Sequence, residues 1–155
     1  MLRALQKFVP IDIDVVLTDR GMYYDQPGKG WRKFVASDRT GFYLFRELKI
    51  PFTILTGAIK SIVERRPAKF EVEYVVHGVR YQLFQAQRIC IERSMDIYET
   101  AYKEGDLNYV SLIIACGLSC APAHAPSYIK QQVDFITVSQ GCDEVFLEPI
   151  KELFN

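Results

Sequence analysis

The sequence predicts an α/β fold with a mainly parallel sheet flanked by helices. Short apolar runs alternate with longer helical segments, and the first apolar run ends on a pair of carboxylates. A length of 155 residues suits one domain with a sizeable core. Apolar residues make up 49% and charged residues 25%, the mix of a soluble globular chain. Nineteen basic residues cancel nineteen acidic ones. That balance gives no electrostatic reason to expect nucleic acid or an acidic membrane as partner, and it requires any phosphate site to be built locally.

The elements follow from the N-terminus. Residues 7–14 read as a buried strand closing on Asp12 and Asp14. Residues 22–25 and 31–35 flank Gln26-Pro27-Gly28-Lys29-Gly30, which predicts a β-hairpin over about 22–35. Residues 39–48 suit a helix, and 51–56 a second sheet strand stopped by Gly57. Residues 59–69 have helical character that Pro67 ends or kinks. A third strand over 72–76 precedes a helix over 80–93. A fourth strand falls within 95–102, with a helix from about Leu107. Two short strands, 118–121 and 134–138, enclose another helix, and 144–154 reads as a terminal helix. No repeat, low-complexity stretch or linker marks a second domain, so 1–155 is expected to be one unit.

Cys90, Cys116, Cys120 and Cys142 form no CxxC pair and have no histidine at zinc-ligand spacing; Cys116 and Cys120, in the apolar stretch 113–120, are expected to be buried free thiols, and a reducing cytoplasm is expected. No run approaches membrane-spanning length, and the N-terminus lacks signal-peptide architecture.

In an open α/β sheet, ligands sit where loops converge at the carboxyl ends of strands. Asp12 and Asp14, Thr56-Gly57, and Gly105-Asp106 all fall at such ends. Two aspartates at i, i+2 can divide nucleophile and acid/base roles, while a hydroxyl and free N–H groups can grip phosphate oxygens. Taken singly, each also reads as a turn or helix-capping residue.

Taken together, the motifs Asp12-Ile13-Asp14-Val15-Val16-Leu17-Thr18-Asp19, Tyr23-Tyr24-Asp25, Thr56-Gly57, Val63-Glu64-Arg65-Arg66, Asp106-Leu107-Asn108 and Ala121-Pro122-Ala123 resemble the 3-deoxy-D-manno-octulosonate 8-phosphate phosphatases of the haloacid dehalogenase superfamily. The match runs ungapped from about Lys7 to Asp134. The resemblance implies a Rossmann-like fold with a small hairpin flap and no large cap domain. It implies Mg²⁺ as cofactor, with Asp12, Asp14 and Asp106 as candidate ligands, Asp14 through its backbone carbonyl. It makes Asp12 the nucleophile and Asp14 the acid/base. Thr56, the Gly57 N–H and Gln82 become candidate phosphate contacts, and Asp38 and Arg80 candidate substrate or interface residues. It also implies a homotetramer joined through the hairpins, with Tyr23, Tyr24, Trp31 and Phe34 packing between subunits. A phosphorylated sugar from lipopolysaccharide precursor synthesis is the implied substrate.

The chain departs from the family's pattern in its charged positions. Gln82 stands where the third motif has lysine, with Arg80 two residues away, and an amide cannot offset charge. Gly105 falls at the metal-ligand aspartate position, Asp106 one residue later, and Tyr109 replaces a further acid. Val15 replaces a glycine, Ala58 an arginine, and the Gly141–Phe146 segment lacks the family's loop glycines and arginine. The expectation is therefore a Mg²⁺-dependent sugar-phosphate monoesterase of weakened activity. The alternatives are a catalytically silent domain kept for assembly and, less well supported for want of a Gly-rich loop, a nucleotide-binding domain. His77 reads as a loop histidine with a lesser reading as a substrate contact, His124 as a helix-start residue more than a ligand, and Arg65-Arg66 as a solvated face with a lesser reading as a contact to a phosphosugar or a neighbouring subunit.

Overall fold

Period-two alternation in the apolar runs decides the layers. Val9, Ile11 and Ile13, along β1 (Val9–Ile11) and just beyond it, enter one core cluster, while Phe8 enters the other. In β4 (Phe52–Leu55), Phe52 and Ile54 face the first cluster and Leu55 the second. Both strands are buried throughout, as a parallel sheet covered on both faces requires. The computed structural model describes residues 7–14, 16–19, 21–34, 38–58, 65–70, 72, 74–103, 110–138, 148 and 150, without the side chains of Asp38, Arg65, Arg66, Tyr102 and Lys103.

The sheet has six parallel strands. They are β1, β4, β5 (Tyr74–Val76), β6 (Ala101–Lys103), β7 (Leu118–Ala121) and β8 (Phe135–Ile136), in the order β5-β4-β1-β6-β7-β8. The chain starts in the middle, winds out to β5, then returns past β1 and winds out to β8. The reversal lies between β1 and β6, which is where a doubly wound sheet leaves its crevice. The sheet is thin at this place. β1 meets β6 at Phe8↔Thr100 and Ile11↔Lys103, and Pro10 between them has no N–H to give.

The helices divide accordingly. α1 (Asp38–Glu47) sends Phe42 and Phe45 into the first cluster, and Phe70 follows α2 (Arg65–Lys69) into it. Phe42 stacks on Phe70 with ring centroids 4.5 Å apart and tilts against Phe52 at 5.3 Å. The other cluster takes Ala86, Ile89 and Cys90 from α3 (Gln82–Glu92), Leu112 and Ile113 from α4 (Val110–Ala115), and Ile129 from α5 (Ser127–Lys130). Crossovers of one hand running in opposite directions from the centre give this segregation, as the right-handed rule for parallel sheets leads one to expect. Each large apolar side chain fully buried here contributes about 1.5–3 kcal/mol.

The expected hairpin is present but short. β2 (Tyr23–Tyr24) pairs antiparallel with β3 (Gly30–Trp31) in the register Tyr23↔Trp31 and Tyr24↔Gly30. Asp25 organises the turn by accepting the Gly28 N–H at its carbonyl (2.9 Å) and the Lys29 N–H at Oδ1 (2.7 Å). Gly28 has φ +81°, a conformation that excludes most other residues. A bridge between Thr18 and Phe34 brings the outgoing arm back to the end of the β1 loop.

Three expectations change. The strand expected within 95–102 begins only at Ala101, because Asp96 and Glu99 form a capping box on a 3₁₀ turn, Ile97–Glu99. Pro67 lies inside α2 rather than ending it. The first strand is shorter than residues 7–14, the chain leaving β geometry at Asp12. Of the expected terminal helix, Glu148 and Ile150 are helical and the remainder lies outside the described residues. Cys90, Cys116 and Cys120 are buried thiols, Cys142 lying outside the description. Burial pushes the Cys90 thiol up to about 11, with Asp96 and Glu99 adding to the shift. Among the described residues no helix is long and apolar enough to cross a membrane.

Candidate active site

The β1 strand delivers Asp12 to the sheet's carboxyl edge at the switch point. Its side chain is buried at 2% exposure, yet two donors meet it. The Asp14 N–H donates to Oδ2 at 2.8 Å, because the chain turns immediately after the strand. Gln82 Nε2 donates to Oδ1 at 3.3 Å from the first turn of α3. The following tight turn is closed by Leu17 N–H to Ile13 O at 2.9 Å and by Thr18 Oγ1 donating to the Asp14 carbonyl at 2.6 Å. This turn leaves the Asp14 carboxyl partly open to solvent, beside the buried Asp12.

The neighbouring strand ends supply the second wall. Thr56 follows β4 and is fully buried. The pairing of β4 with β5 continues past the strands, Thr56 N–H donating to Val76 O (3.0 Å) and Val79 N–H to Thr56 O (3.0 Å). Gly78, at φ +61°, turns the chain so that its N–H reaches Ala58 O (3.2 Å). Thr56 Oγ1 accepts the Ala58 N–H at 3.2 Å, which leaves its hydroxyl hydrogen to donate elsewhere. Gly57 is exposed between them, and no described group accepts its N–H.

Gln82 occupies the centre of this wall, 1% exposed. Its Nε2 also donates to Leu55 O at 3.1 Å, so the two amide hydrogens brace Asp12 against the end of β4. Arg80 is exposed, and among the described residues the ion pair to Asp14 comes from Arg32 instead. Asp38 begins α1, with its side chain outside the description, and Asp106 lies outside the described residues. His77 follows β5 half-buried, its Nδ1 enclosed without a hydrogen-bond partner among the described residues. His124 sits in the turn after β7, closed by Ala125 N–H to Pro122 O at 2.9 Å, while Arg65 and Arg66 open α2.

One residue enters the site that the sequence reading left out. Arg32, just after β3, forms an ion pair through Nη1 with Asp14 Oδ1. Its side chain is 14% exposed, and its Nε is buried with no hydrogen-bond partner. Burial pulls the guanidinium below its ordinary value, while the charge of Asp12 pushes it back up. An arginine so perturbed remains cationic at neutral pH. Strand alternation carried the signal. Trp31 and Lys33 are exposed, and Phe34 packs inward on the core, so Arg32, on the same side as Phe34, also points inward.

The oxygens gathered here suit a hard divalent cation. The Asp12 carboxylate and the Asp14 carbonyl are oxygen donors of the type Mg²⁺ prefers, and the carbonyl keeps a second lone pair beside its bond from Thr18. Among the described residues, no group of three or more His, Cys, Asp or Glu side chains gathers to hold a metal alone. The set therefore fits an ion that retains several waters.

No family model matches the sequence. A 3-deoxy-D-manno-octulosonate 8-phosphate phosphatase from Haemophilus influenzae is 30% identical over 142 residues, covering 92% of this chain and 79% of the relative. The structure of the cobalt-bound form of the phosphatase of that name from Haemophilus influenzae superposes with a TM-score of 0.91 at 27% identity, covering 99% of this chain and 90% of the other. The structure of a probable phosphatase from Pseudomonas syringae gives 0.92 at 26% identity, with coverages of 98% and 86%. The expected parallel α/β fold is shared with these structures, and among the described residues no large cap domain interrupts it. By sequence and by fold, this chain belongs to the 3-deoxy-D-manno-octulosonate 8-phosphate phosphatase family of the haloacid dehalogenase superfamily.

Proposed function

We propose that this chain hydrolyses a sugar-phosphate monoester, 3-deoxy-D-manno-octulosonate 8-phosphate or a close analogue, through an aspartyl-phosphate on Asp12. The observation that carries the reading is the buried Asp12 carboxylate held at the switch point by the Asp14 N–H and Gln82 Nε2. Those two donors fix its orientation before substrate arrives, so little reorganisation is left for the reaction.

Asp12 attacks phosphorus and the bond from phosphorus to the ester oxygen breaks, with Asp14 giving its proton to the departing alcohol. Water then attacks the aspartyl-phosphate, Asp14 takes the water proton, and phosphate leaves with Asp12 restored. The Thr56 hydroxyl and the Gly57 N–H hold the phosphate oxygens. Mg²⁺, held by the Asp12 carboxylate and the Asp14 carbonyl with Asp106 as a further candidate, would neutralise charge on the phosphoryl group.

Weakened turnover is part of the proposal, because losing one preorganised electrostatic group costs on the order of 10²–10³ in rate. Assembly into a homotetramer is part of it too. Of the residues expected between subunits, Tyr23, Tyr24 and Trp31 are exposed along the hairpin, with Met22 beside them, an apolar surface suited to packing against further copies, whereas Phe34 packs on the chain's own core. A reducing cytoplasm suits the buried thiols.

The test is phosphate release from 3-deoxy-D-manno-octulosonate 8-phosphate and a panel of phosphosugars with Mg²⁺. Release is expected in the wild type and should drop below detection in Asp12→Asn. A folded wild type that releases nothing across the panel would refute the reading. One observation favours a silent assembly domain instead. Both Nε2 hydrogens of Gln82 are committed within the protein, to Asp12 and Leu55. That alternative expects a tetramer by light scattering without turnover.

A further inference from the structure

The position that would carry a lysine in the resembling enzymes holds Gln82, which has no charge, yet the two aspartates are not left without a cation. Arg32 reaches them from the hairpin, pairing with Asp14 through Nη1. Its burial, the attraction of Asp12 and its enclosed, unpartnered Nε distinguish it from a surface ion pair. A guanidinium has five donors in a planar fork, so one that spends Nη1 on a carboxylate retains donors for a second anion.

We infer that Arg32 is the charge-compensating residue of this site, holding Asp14 with Nη1 and meeting a phosphate oxygen with its remaining donors. The inference rests on the phosphatase reading and adds to it a catalytic group from the hairpin. It also makes Gln82 a brace for Asp12 instead of a failed lysine. Charge and geometry, which one lysine combines, are here split between two residues from different parts of the chain.

A background-dependent rescue in the full chain tests this. Arg32→Ala should lower kcat about 10²-fold, the usual loss for one preorganised electrostatic group. Arg32→Lys should stay within about tenfold of wild type, and millimolar guanidinium should restore part of the Arg32→Ala rate, as neither would after a merely structural loss. Gln82→Lys, which also removes the brace on Asp12, should change the rate at least about tenfold more favourably in the Arg32→Ala background than in the wild type, because the second cation matters most when the first is missing. Arg32→Ala within about threefold of wild type would overturn the inference. So would an equal effect of Gln82→Lys in both backgrounds.

Inorganic phosphate binding by calorimetry separates this inference from its premise. A wild type that binds phosphate but turns nothing over refutes the phosphatase reading. It leaves Arg32 supported if Arg32→Ala binds phosphate at least about tenfold more weakly than Arg32→Lys, and refuted if the two bind alike. A wild type that binds no phosphate refutes both. Should Arg32→Ala fail to fold by circular dichroism, Arg32→Gln replaces it in every arm under the same thresholds.

Discussion

The two walls of the site are built by different means. The wall at the ends of β4 and β5 is mostly backbone: Thr56, Ala58, Gly78 and Val79 are tied by main-chain hydrogen bonds around Gly57, and its buried polar side chains, Thr56 and Gln82, are uncharged. The wall at the end of β1 is mostly charge, with Asp12 and Asp14 on the strand loop and Arg32 from the hairpin. In the proposed reaction the first wall would cradle phosphate and the second would supply the reacting groups. A family pattern that assigns the cation to the first wall fails here, while the site as a whole still contains one. Geometry and charge can therefore vary separately, provided the loops of the switch point keep both within reach of one anion.

Substitutions on the two walls should separate chemistry from binding. The larger effect is expected from Asp14→Asn, which removes the proton-transfer group and should lower kcat by about 10³-fold, within the usual range for general acid–base catalysis. The same change removes one negative charge and releases Arg32 Nη1, so inorganic phosphate should bind more tightly than to wild type. Thr56→Val acts in the opposite sense. It deletes a hydroxyl donor facing a charged ligand, which is worth about 1.5–3 kcal/mol, and phosphate affinity should fall by about 10–100-fold while kcat changes less. Steady-state kinetics and phosphate calorimetry on both variants check this. Equal losses of kcat and affinity in the two would show that the walls act as one unit.

The sequence made the strand ends of both walls legible, and on each wall it hid a contact made across the fold. Apolar strands ending in Asp12-Ile13-Asp14 and Thr56-Gly57 announce their positions, because buried parallel strands are continuous apolar runs and their ends must turn. Gln82 falls at the start of α3, inside the helix expected over 80–93, but its partners Asp12 and Leu55 are not foreseeable from sequence. Its two hydrogen bonds depend on how far β4 and α3 approach each other, which no local pattern records. Arg32 was missed for a related reason. It lies 18 residues from Asp14, and it becomes part of the site only when the hairpin folds back along the strand loop. The inward position of Phe34 and strand alternation would have pointed Arg32 inward too, a signal that composition and motif spacing do not use. The capping box Asp96-x-x-Glu99 was likewise readable, and it explains why the fourth strand begins late.

The smallest expected effect concerns the tie between the hairpin and the β1 wall. Tyr23 donates its hydroxyl to Asp19 Oδ2 at 2.6 Å, and the Gly21 N–H reaches Oδ1 of the same carboxyl at 3.0 Å. The Tyr23 ring lies over Gly21 so closely that a Cβ there would come within 2.8 Å of it, so this glycine permits the contact. The Tyr23 hydroxyl, and after it the Gly21 N–H, hold the Asp19 carboxyl below its ordinary value of 3.8. The folded chain therefore takes up this proton less readily than the unfolded chain. The resulting stability is complete above the unfolded value and is lost as pH falls through the folded one. Tyr23→Phe removes the largest cause, so Asp19 should titrate closer to 3.8 and the acid limb of the stability curve should lose part of its slope, with the difference from wild type constant above about pH 5. Carboxyl-detected NMR titration reads the Asp19 value directly. If the variant titrates as the wild type does, the Tyr23 contact does not anchor the hairpin in solution. The Thr18–Phe34 bridge and the Asp14 ion pair would then be what places Arg32, and the charged wall would depend on the hairpin's second arm alone.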